Sequence, residues 1–354
     1  YLTLAFINYE KTTAESAKAS IPSGYNIQWQ QAMSWVRNNT SVNSMFAHWW
    51  DYGYWIQTLG ERPTVTDGGH ENTYWDHLVG RYVLTTPYPE TALSFMKTHN
   101  VSYLLIDSTD VGKYPAYSSI GSDSSGEDRF SQIPIMIFNP SQTVETSGKE
   151  TRVYQGGAPV DKDIVYSDGN NNIFLPSNKA FVIGMMIEIS KNKDSFSFGQ
   201  PIAVFVYNNQ QIRIPLRYAY YKEKILDFKS GIEGVARITQ GIELSGEGGI
   251  NADDFGSVIY LSPKVSRSLF AQLYLMDDPF DNYKTLPLAH SESDTFVSNL
   301  RASGFNSDEI VYFQGFRGPI NIWKVGYPEN ILKKEEFLRT SGEFEEFDNL
   351  TFTK

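Results

Sequence analysis

The pattern of apolar residues changes twice along the chain, near residue 131 and near residue 255, and these changes limit the folds open to it. Over residues 27–120, stretches with helical spacing alternate with a buried-strand pattern. Between about 132 and 254, short β-type apolar runs are separated by stretches rich in Ser, Gly, Asp and Asn. The sequence therefore predicts an α+β fold, in which a mixed helix and strand core is interrupted by a β-rich insertion.

These patterns divide the chain into four predicted parts. They are the first part of the central core at 1–131, the β-rich insertion at 132–254, the return segment of the core at 255–326 and an acidic peripheral tail at 327–354. Residues 1–25 are predicted to form a linker. The chain begins with an apolar stretch and without Met, as expected either after a transmembrane helix or from a plain truncation.

The local patterns also predict individual elements. The predicted helices are 27–39, a short one that begins in the 49–53 segment and runs through 59 to end at Gly60, 74–84, 89–99 and 262–276. The predicted strands are 101–106, 133–138, 181–189, 201–207, 211–216 and 258–261, with an extended segment at 61–66. Turns are predicted at 168–172 and at Asn208-Asn209, and 310–316 with 319–325 are expected to form a hairpin.

Composition excludes several classes of protein. The net charge of −11 disfavours nucleic acid as a partner, because phosphate binding requires a basic face. The chain has no cysteine, which excludes disulfides, thiol catalysis and Cys-ligated zinc. It also has no run of about 18 apolar residues of the kind that a membrane-spanning helix needs.

Residues 49–53 concentrate polar chemistry against aromatic side chains. Trp49 and Trp50 bring two indole N–H donors, and Asp51 brings an ionic acceptor. Such a group could hold one small polar group, such as a hydroxyl, against apolar walls, and Gly53 allows a tight turn or close approach to a ligand. The alternative is an aromatic core turn in which Asp51 caps the following helix.

Two further stretches carry clustered charge. In the 67–77 stretch, Asp67, His70, Glu71, Asp76 and His77 could form a metal or acid–base site. The spacing of the two histidines fits no single helical ligand pair, so a loop that ends in a helix cap is favoured.

Farther along, Asp110 and Lys113 are one helical turn apart and could point at one site as a charged pair. The simpler interpretation is a solvated pair that contributes little to stability.

The Trp-Trp-Asp-Tyr-Gly segment resembles the signature of oligosaccharyltransferase catalytic subunits, the membrane enzymes of asparagine-linked glycosylation, and the archaeal type fits best. The family also carries an Asp-x-x-Lys motif about sixty residues later, on a short kinked helix, and Asp110 to Lys113 matches it. The family pattern places Met or Ile four residues after this Lys. This chain has Tyr117 there, and Ile120 three residues farther on.

The resemblance implies a C-terminal extracytoplasmic domain that recognises the Ser/Thr of an Asn-x-Ser/Thr sequon. The resemblance implies that Trp49 and Trp50 donate hydrogen bonds to the sequon hydroxyl and that Asp51 accepts the hydroxyl proton. Lys113 would complete the set of substrate-binding residues. The residues expected to shape the pocket are Tyr52, Gly53, Asp110, Tyr117 and Ile120.

The resemblance also implies partners outside this chain. They are an acceptor polypeptide, a dolichol-phosphate- or diphosphate-linked oligosaccharide and the protein's own N-terminal transmembrane domain. A Mn²⁺ or Mg²⁺ cofactor would be bound by that membrane half, so no catalytic or metal-binding residue is expected in this chain, which alone should be inactive. The expected location is the extracellular face of the cell membrane.

Two other functions remain open from the residues alone. A secreted carbohydrate-binding module or glycosidase would explain the aromatics and a carboxylate pair, but not the Asp-x-x-Lys spacing. A purely structural extracellular interaction domain is the third interpretation. The sequons within the chain itself, such as the one at 100–102, are short enough to arise by chance.

Overall fold

The computed structural model describes residues 26–146, 149–167, 169, 172–192, 195–244 and 249–342. The predicted linker at 1–25 and the end of the predicted tail at 343–354 lie outside the described residues. The same holds for Asp168, Asn170 and Asn171 of the predicted turn.

The first helix, α1, covers Ile27–Asn39, the bounds that the apolar spacing predicted. Trp29, Ala32 and Val36 on its predicted apolar face are all buried. The side chain of Asn26 accepts a hydrogen bond from the Trp29 N–H and so caps the first turn. The prediction of this helix is confirmed.

The remaining elements up to residue 120 build the rest of the first core segment. They are β1 Met45–Ala47, a 3₁₀ turn Trp50–Tyr52, α2 Gly53–Thr58, α3 Thr73–Val79 with a π-helical turn Gly80–Leu84, α4 Pro89–Thr98, β2 Val101–Ile106 and α5 Asp110–Ile120. The predicted helices and the predicted strand of this region are confirmed, apart from the π-helical turn.

The part of the chain from 135 to 261 is built of strands. They are β3 Ile135–Phe138, β4 Val144–Thr146, β5 Lys149–Pro159, β6 Ile164–Ser167, β7 Asn172–Leu175, β8 Phe181–Asn192, β9 Ser195–Phe198, β10 Ile202–Tyr207, β11 Gln210–Tyr221, β12 Lys224–Asp227, β13 Ile232–Leu244 and β14 Ile250–Leu261. The hairpin at Asn208-Asn209 is confirmed, and both residues have positive φ, 49° and 60°.

The chain then returns with short elements. They are α6 Pro263–Ser266, a π-helical turn Ala271–Leu275, β15 Leu288–Glu292, α7 Thr295–Ala302, β16 Val311–Tyr312, β17 Phe316–Arg317, β18 Ile320–Lys324 and a 3₁₀ turn Glu335–Leu338. This 3₁₀ turn lies in the described part of the predicted peripheral tail, and its Phe337 is buried.

Two large sheets and a two-stranded sheet of β6 and β7 organise these elements in the described residues. Among the described residues, a four-stranded sheet has the order β1-β2-β18-β15, with β1 and β2 parallel. A 12-stranded sheet closes on itself, because β11 pairs with β10 on one side and with β13 on the other. The predicted α+β class is confirmed, while the boundaries of the four predicted parts stay a prediction.

The hairpin predicted for 310–325 is wrong. β16 and β17 pair with each other and join the 12-stranded sheet through β13, whereas β18 lies between β2 and β15 in the other sheet. The chain crosses between the sheets at Gly318, where an added Cβ would lie 2.8 Å from the Tyr274 hydroxyl oxygen. That hydroxyl donates to the Pro319 carbonyl at 2.7 Å. The pairing of β18 with β2 and of β16 with β13 joins segments far apart in sequence, so no local pattern could predict it.

The single helix predicted for 262–276 is broken in two. Ser262 does cap its start, because its side chain accepts from the Val265 N–H. The Ser268 hydroxyl donates to the Val265 carbonyl at 2.7 Å and accepts from the Ala271 N–H at 3.2 Å. Side-chain hydrogen bonds of this kind compete with the helical ladder and so interrupt it.

None of the helices in the described ranges has both the length and the apolar character that crossing a bilayer demands.

Candidate functional site

Two parallel strands bring the sequence motifs to one edge of the four-stranded sheet. Trp49 follows β1, and Asp107 follows β2. Since β1 and β2 are parallel, with Ala47 opposite Leu104, both following segments leave the sheet at the same edge. Carboxyl ends of parallel strands are where open sheets usually place their ligand sites.

An ion pair joins the two motifs. Lys113 Nζ lies 2.9 Å from Asp51 Oδ2, and the side chains are 31% and 27% exposed. Lys113 also donates to the Tyr52 hydroxyl at 3.0 Å and sits 4.4 Å from the centre of that ring. The lysine therefore pairs with Asp51 across the site, rather than forming the i, i+3 pair with Asp110 that the spacing suggested.

A buried hydrogen-bond network lies beneath this pair. The Tyr52 hydroxyl donates to Asp110 Oδ1 at 2.7 Å, and Asp110 Oδ2 accepts from the Asp107 N–H at 3.1 Å. Asp107 Oδ1 in turn accepts from the N–H and the hydroxyl of Thr109, at 2.7 Å and 2.5 Å. The network fixes the start of α5 and, through Tyr52, the position of Lys113.

Burial dominates the ionisation of this network. It raises the pKa of Asp110 to about 7, although the positive charge of Lys113 acts in the opposite direction. Burial also raises the pKa of Asp107 and holds the pKa of the Tyr52 phenol well above its ordinary value. The site therefore has a partly exposed acidic side chain, Asp51, above a buried carboxyl group that ionises near neutral pH.

The two tryptophans line the site with unused donors. Trp49 is 2% exposed, and its ring lies 5.5 Å from that of Tyr117. Trp50 is half-buried, 6.0 Å from Trp49. Within the described part of the chain, neither indole N–H donates a hydrogen bond. Both donors are thus available to a ligand.

The two residues expected to supply the apolar contact behave differently. Tyr117 is fully buried, and its hydroxyl has no hydrogen-bond partner among the described residues. Ile120, at the end of α5, is 41% exposed. Tyr117 therefore forms an aromatic wall behind Trp49, while Ile120 faces solvent.

Gly53 is required for chain packing. Its φ of −55° is an ordinary helical value, so no unusual turn is needed there. An added Cβ would lie 2.6 Å from Asp67 Cα and 2.7 Å from the Thr66 carbonyl oxygen. Because Gly53 has no side chain, the 66–67 backbone can pack against α2. Neither the expected tight turn nor close approach to a ligand explains the glycine at this position.

The interpretation of Asp51 as a helix cap is also wrong, since no side chain caps the 3₁₀ turn Trp50–Tyr52 or the helix α2.

His48 is a buried neighbour of the motif to which the sequence assigned no role. Its Nδ1–H donates to the Trp49 carbonyl at 2.6 Å, and the side chain is fully buried. Burial lowers the pKa of His48 to about 4, so the imidazole is neutral at pH 7. In the sequence, the position of His48 immediately before the two tryptophans could have pointed to its place beside the site.

The 67–77 stretch divides into two separate clusters. His70 packs edge-on against Trp50, with 4.4 Å between the ring centres, and its Nδ1 lies 2.7 Å from Asp76 Oδ2. His77 is buried elsewhere and donates from Nδ1 to the Ile120 carbonyl at 2.6 Å. In the ranges that the structure describes, no three His, Asp or Glu side chains converge in a way that could hold a metal ion. The contact between His70 and Trp50 was not foreseen from the sequence.

Comparison with known proteins identifies this segment. Residues 43–120 match the family model described as the STT3/PglB/AglB core domain. The dolichyl-phosphooligosaccharide-protein glycotransferase 1 of Pyrococcus horikoshii is 36% identical over 95 residues, which cover 26% of this chain and 9% of that relative. The STT3 subunit of the dolichyl-diphosphooligosaccharide–protein glycosyltransferase of Saccharomyces cerevisiae is 33% identical over 78 residues, or 22% and 11% of the two chains.

Among solved structures, the C-terminal domain of C. jejuni pglb covers 84% of this chain and 100% of that chain. The sequence identity is 10% and the TM-score is 0.40.

The matched segment resembles the core domain of a class of protein glycosyltransferases, and it contains both motifs of the site. Over this segment the chain is similar to the STT3/PglB/AglB family of oligosaccharyltransferases. The aligned part covers only about a tenth of each of these two relatives.

Proposed function

We propose that this chain is the acceptor-binding part of an archaeal-type oligosaccharyltransferase. It would hold the Ser/Thr hydroxyl of an Asn-x-Ser/Thr sequon while a glycan is transferred to the Asn amide. The observation that carries this proposal is the 2.9 Å ion pair between Asp51 of the pentapeptide and Lys113 of the Asp-x-x-Lys motif. It joins two segments about sixty residues apart into one polar site beside the indole donors.

The chemistry of the site suits a hydroxyl. A hydroxyl donates one hydrogen bond and accepts others, so it can donate to Asp51 while it accepts from Trp49 or Trp50. Asp51 uses Oδ2 for Lys113, which leaves Oδ1 for a ligand. A peptide without the hydroxyl would leave these polar groups unpaired, and that is the physical source of selectivity.

Lys113 acts in this proposal as a positioning residue for Asp51. The Tyr52 hydroxyl fixes the lysine from below, and Asp110 fixes that hydroxyl in turn. The carboxylate would therefore be oriented before the acceptor arrives, which reduces the entropy lost on binding.

The reacting centre would lie outside the residues described. We propose a dolichol-phosphate- or diphosphate-linked oligosaccharide as donor, and a transmembrane domain of the same protein as the partner that binds Mn²⁺ or Mg²⁺. The described residues offer no fitting set of ligands for such an ion. The chain alone would then bind acceptor and catalyse no transfer, on the extracellular face of the cell membrane. Transfer activity by the isolated chain would overturn this part of the proposal.

The test is an NMR titration of the ¹⁵N-labelled chain with two peptides, Asn-x-Thr and Asn-x-Val. Valine has nearly the shape of threonine but lacks the hydroxyl. Wild type should bind the Thr peptide roughly ten- to a hundredfold more tightly, the value of a hydrogen bond to a charged group. Asp51→Asn should lose most of that preference.

A control comes from a second, more exposed ion pair. Glu188 accepts from Lys149 at 2.8 Å, and Glu188→Gln should leave peptide binding unchanged. Equal affinity of wild type for the two peptides would sink the proposal. Binding of a soluble oligosaccharide that survives Asp51→Asn would favour the carbohydrate-binding alternative instead.

A further inference from the structure

The loop at 66–70 is clamped against the helix that follows the pentapeptide. Gln57 donates to Asp67 Oδ2 at 2.7 Å, and Asp67 Oδ1 accepts from the Gly69 N–H at 2.8 Å. Added Cβ atoms at Gly68 and Gly69 would lie 3.1 Å and 2.9 Å from the Tyr54 side chain. These contacts fix the loop beside the site, so its last residue has a defined position.

That last residue is His70, and it rests on Trp50. The imidazole meets the indole ring edge-on, at 4.4 Å and 67°. His70 has a φ of +51°, a left-handed value that is uncommon for residues other than glycine. The backbone of the loop is therefore arranged to bring this side chain onto Trp50.

Asp76 sets the orientation of the imidazole. Its Oδ2 lies 2.7 Å from His70 Nδ1, and its side chain is only 7% exposed. Burial raises the pKa of Asp76, while the hydrogen bond from His70 lowers it, so the two groups depend on each other. A hydrogen bond at Nδ1 fixes which ring nitrogen faces the partner and which faces outward.

The outward nitrogen is open to a ligand. His70 is 36% exposed, and its Nε2 makes no hydrogen bond to any residue that the structure describes. The imidazole lies against Trp50, one of the two indoles proposed to bind the sequon hydroxyl. With the Nδ1 proton directed to Asp76, Nε2 can accept a hydrogen bond from a peptide N–H.

We propose that His70 is a further acceptor-binding residue, which holds the Trp50 indole in place and offers Nε2 to a backbone amide of the acceptor peptide. Asp76 is the positioning residue that orients it. This inference rests on the proposed function, because it places the same peptide on the same site. The inference gives the charged stretch at 67–77 a role in peptide recognition, where the sequence had suggested a metal or acid–base site as one alternative.

The chain contains a matched control for this arrangement. His290 stacks on Trp35, with 4.6 Å between ring centres, and its Nε2 lies 3.1 Å from Glu292 Oε2. A histidine, a tryptophan and a carboxylic acid side chain are thus also combined on β15 and α1, with the rings stacked and away from the pentapeptide and the Asp-x-x-Lys helix. A substitution there tests the loss of a His–Trp contact without altering the proposed site.

The experiment follows the tryptophan indole N–H signals of the ¹⁵N-labelled 354-residue chain. In His70→Asn, the new amide can still donate to Asp76, and Asn tolerates positive φ better than most residues. In the free protein, His70→Asn should shift the Trp50 signal and leave the Trp35 signal in place, and His290→Asn should do the reverse.

Peptide binding then decides the proposal. His70→Asn should weaken binding of the Asn-x-Thr peptide by roughly five- to tenfold, the effect of about one neutral hydrogen bond. His290→Asn should leave it unchanged. His70→Gln, which retains a polar group near the Nε2 position, should bind with intermediate affinity.

The outcomes separate this inference from the proposed function. If wild type prefers Thr over Val and both His70 variants bind the Thr peptide as tightly as wild type, the role of His70 is overturned and the proposed function stands. If wild type shows no preference for the hydroxyl, the proposed function fails. In that case a loss of binding in His70→Asn would still support a peptide contact at His70, and unchanged binding would overturn both.

Discussion

The hydroxyl of Tyr52 donates a 2.7 Å hydrogen bond to Asp110, and this contact joins the pentapeptide to the Asp-x-x-Lys helix below the surface of the site. The same hydroxyl accepts from Lys113 at 3.0 Å. Tyr52 is therefore the link through which a buried carboxyl group holds a partly exposed lysine. The ion pair of Lys113 with Asp51 is the part of this chain of contacts that a ligand can reach.

The first prediction concerns Tyr52→Phe, which keeps the ring and removes the hydroxyl. The variant leaves buried Asp110 without one donor, so we expect the free energy of unfolding to fall by about 1–3 kcal/mol. Lys113 loses one of its two partners, and binding of the sequon peptide should weaken as well. Urea unfolding followed by circular dichroism gives the first quantity and the peptide titration gives the second. An unfolding free energy equal to that of wild type would show that the hydroxyl does not anchor Asp110.

The second prediction concerns pH. The folded-state pKa of Asp110 is about 7, above its ordinary value of 3.8, so the folded protein binds the proton more tightly than the unfolded chain. The contribution of Asp110 to stability is thus fully present below about pH 4 and is lost as the pH rises to about 7. His48 and His77, whose pKa values burial lowers to about 4, act in the opposite sense over nearly the same range.

Asp110→Asn isolates the first of these effects, because only the wild type loses the Asp110 contribution as the pH rises. The difference in unfolding free energy between wild type and variant should shift in favour of the variant between pH 4 and pH 7, by an amount on the order of a few kcal/mol. Urea unfolding at a series of pH values measures it. A difference that stays constant with pH would mean that Asp110 does not ionise in this range.

The elements that the sequence predicted well are those with a local cause. The helix at Ile27–Asn39 follows from four apolar residues at helical spacing, and the hairpin at Asn208-Asn209 follows from two residues that tolerate positive φ. The eleven-residue strand Lys149–Pro159 was missed because its apolar residues are sparse and Gly156-Gly157 interrupts it. Its partners are β3, β4 and β8, so its stability depends on residues distant in sequence.

In the candidate site, too, some features could be predicted from the sequence and others depend on how distant segments pack. Spacing and resemblance pointed to Asp51 and Lys113, and the structure brings them to 2.9 Å. Neither could show that Tyr52 lies between Lys113 and Asp110, because that contact depends on how the helix of residues 110–120 packs beneath the pentapeptide. The place of His70 on Trp50 depends in the same way on a loop with one left-handed residue, which no periodicity records.

The third prediction tests the close packing at Gly53. Gly53→Ala places a methyl group 2.6 Å from Asp67 Cα and 2.7 Å from the Thr66 carbonyl oxygen, so backbone must move. We expect a loss of about 1–3 kcal/mol in unfolding free energy and weaker peptide binding, since the displaced loop carries His70.

Gly112→Ala is the matched control for this substitution. Gly112 lies in the helix of residues 110–120, and an added Cβ would meet nothing within 4 Å. Alanine there should stabilise the protein by about 0.5–1 kcal/mol, because it is the better helix former. If the two variants changed stability equally, the packing explanation for Gly53 would be wrong.

The fourth prediction concerns the hydroxyl of Tyr117, which departs from the Met or Ile of the family pattern. This hydroxyl is buried behind Trp49 and has no hydrogen-bond partner among the residues that the structure describes. Burying a hydroxyl without a partner costs free energy, so Tyr117→Phe should be neutral or should stabilise the protein by about 1 kcal/mol. Peptide binding should be unchanged, because the ring that supports Trp49 remains.

Tyr154→Phe provides the comparison that gives this result its meaning. Tyr154 is equally buried, but its hydroxyl donates to the Phe255 carbonyl at 2.8 Å. Removal of that hydroxyl should destabilise the protein by about 1 kcal/mol. Both variants are measured by urea unfolding at pH 7, where the tyrosines are neutral. If Tyr117→Phe were as costly as Tyr154→Phe, the Tyr117 hydroxyl would have to form a hydrogen bond in solution, and the wall behind Trp49 would be polar.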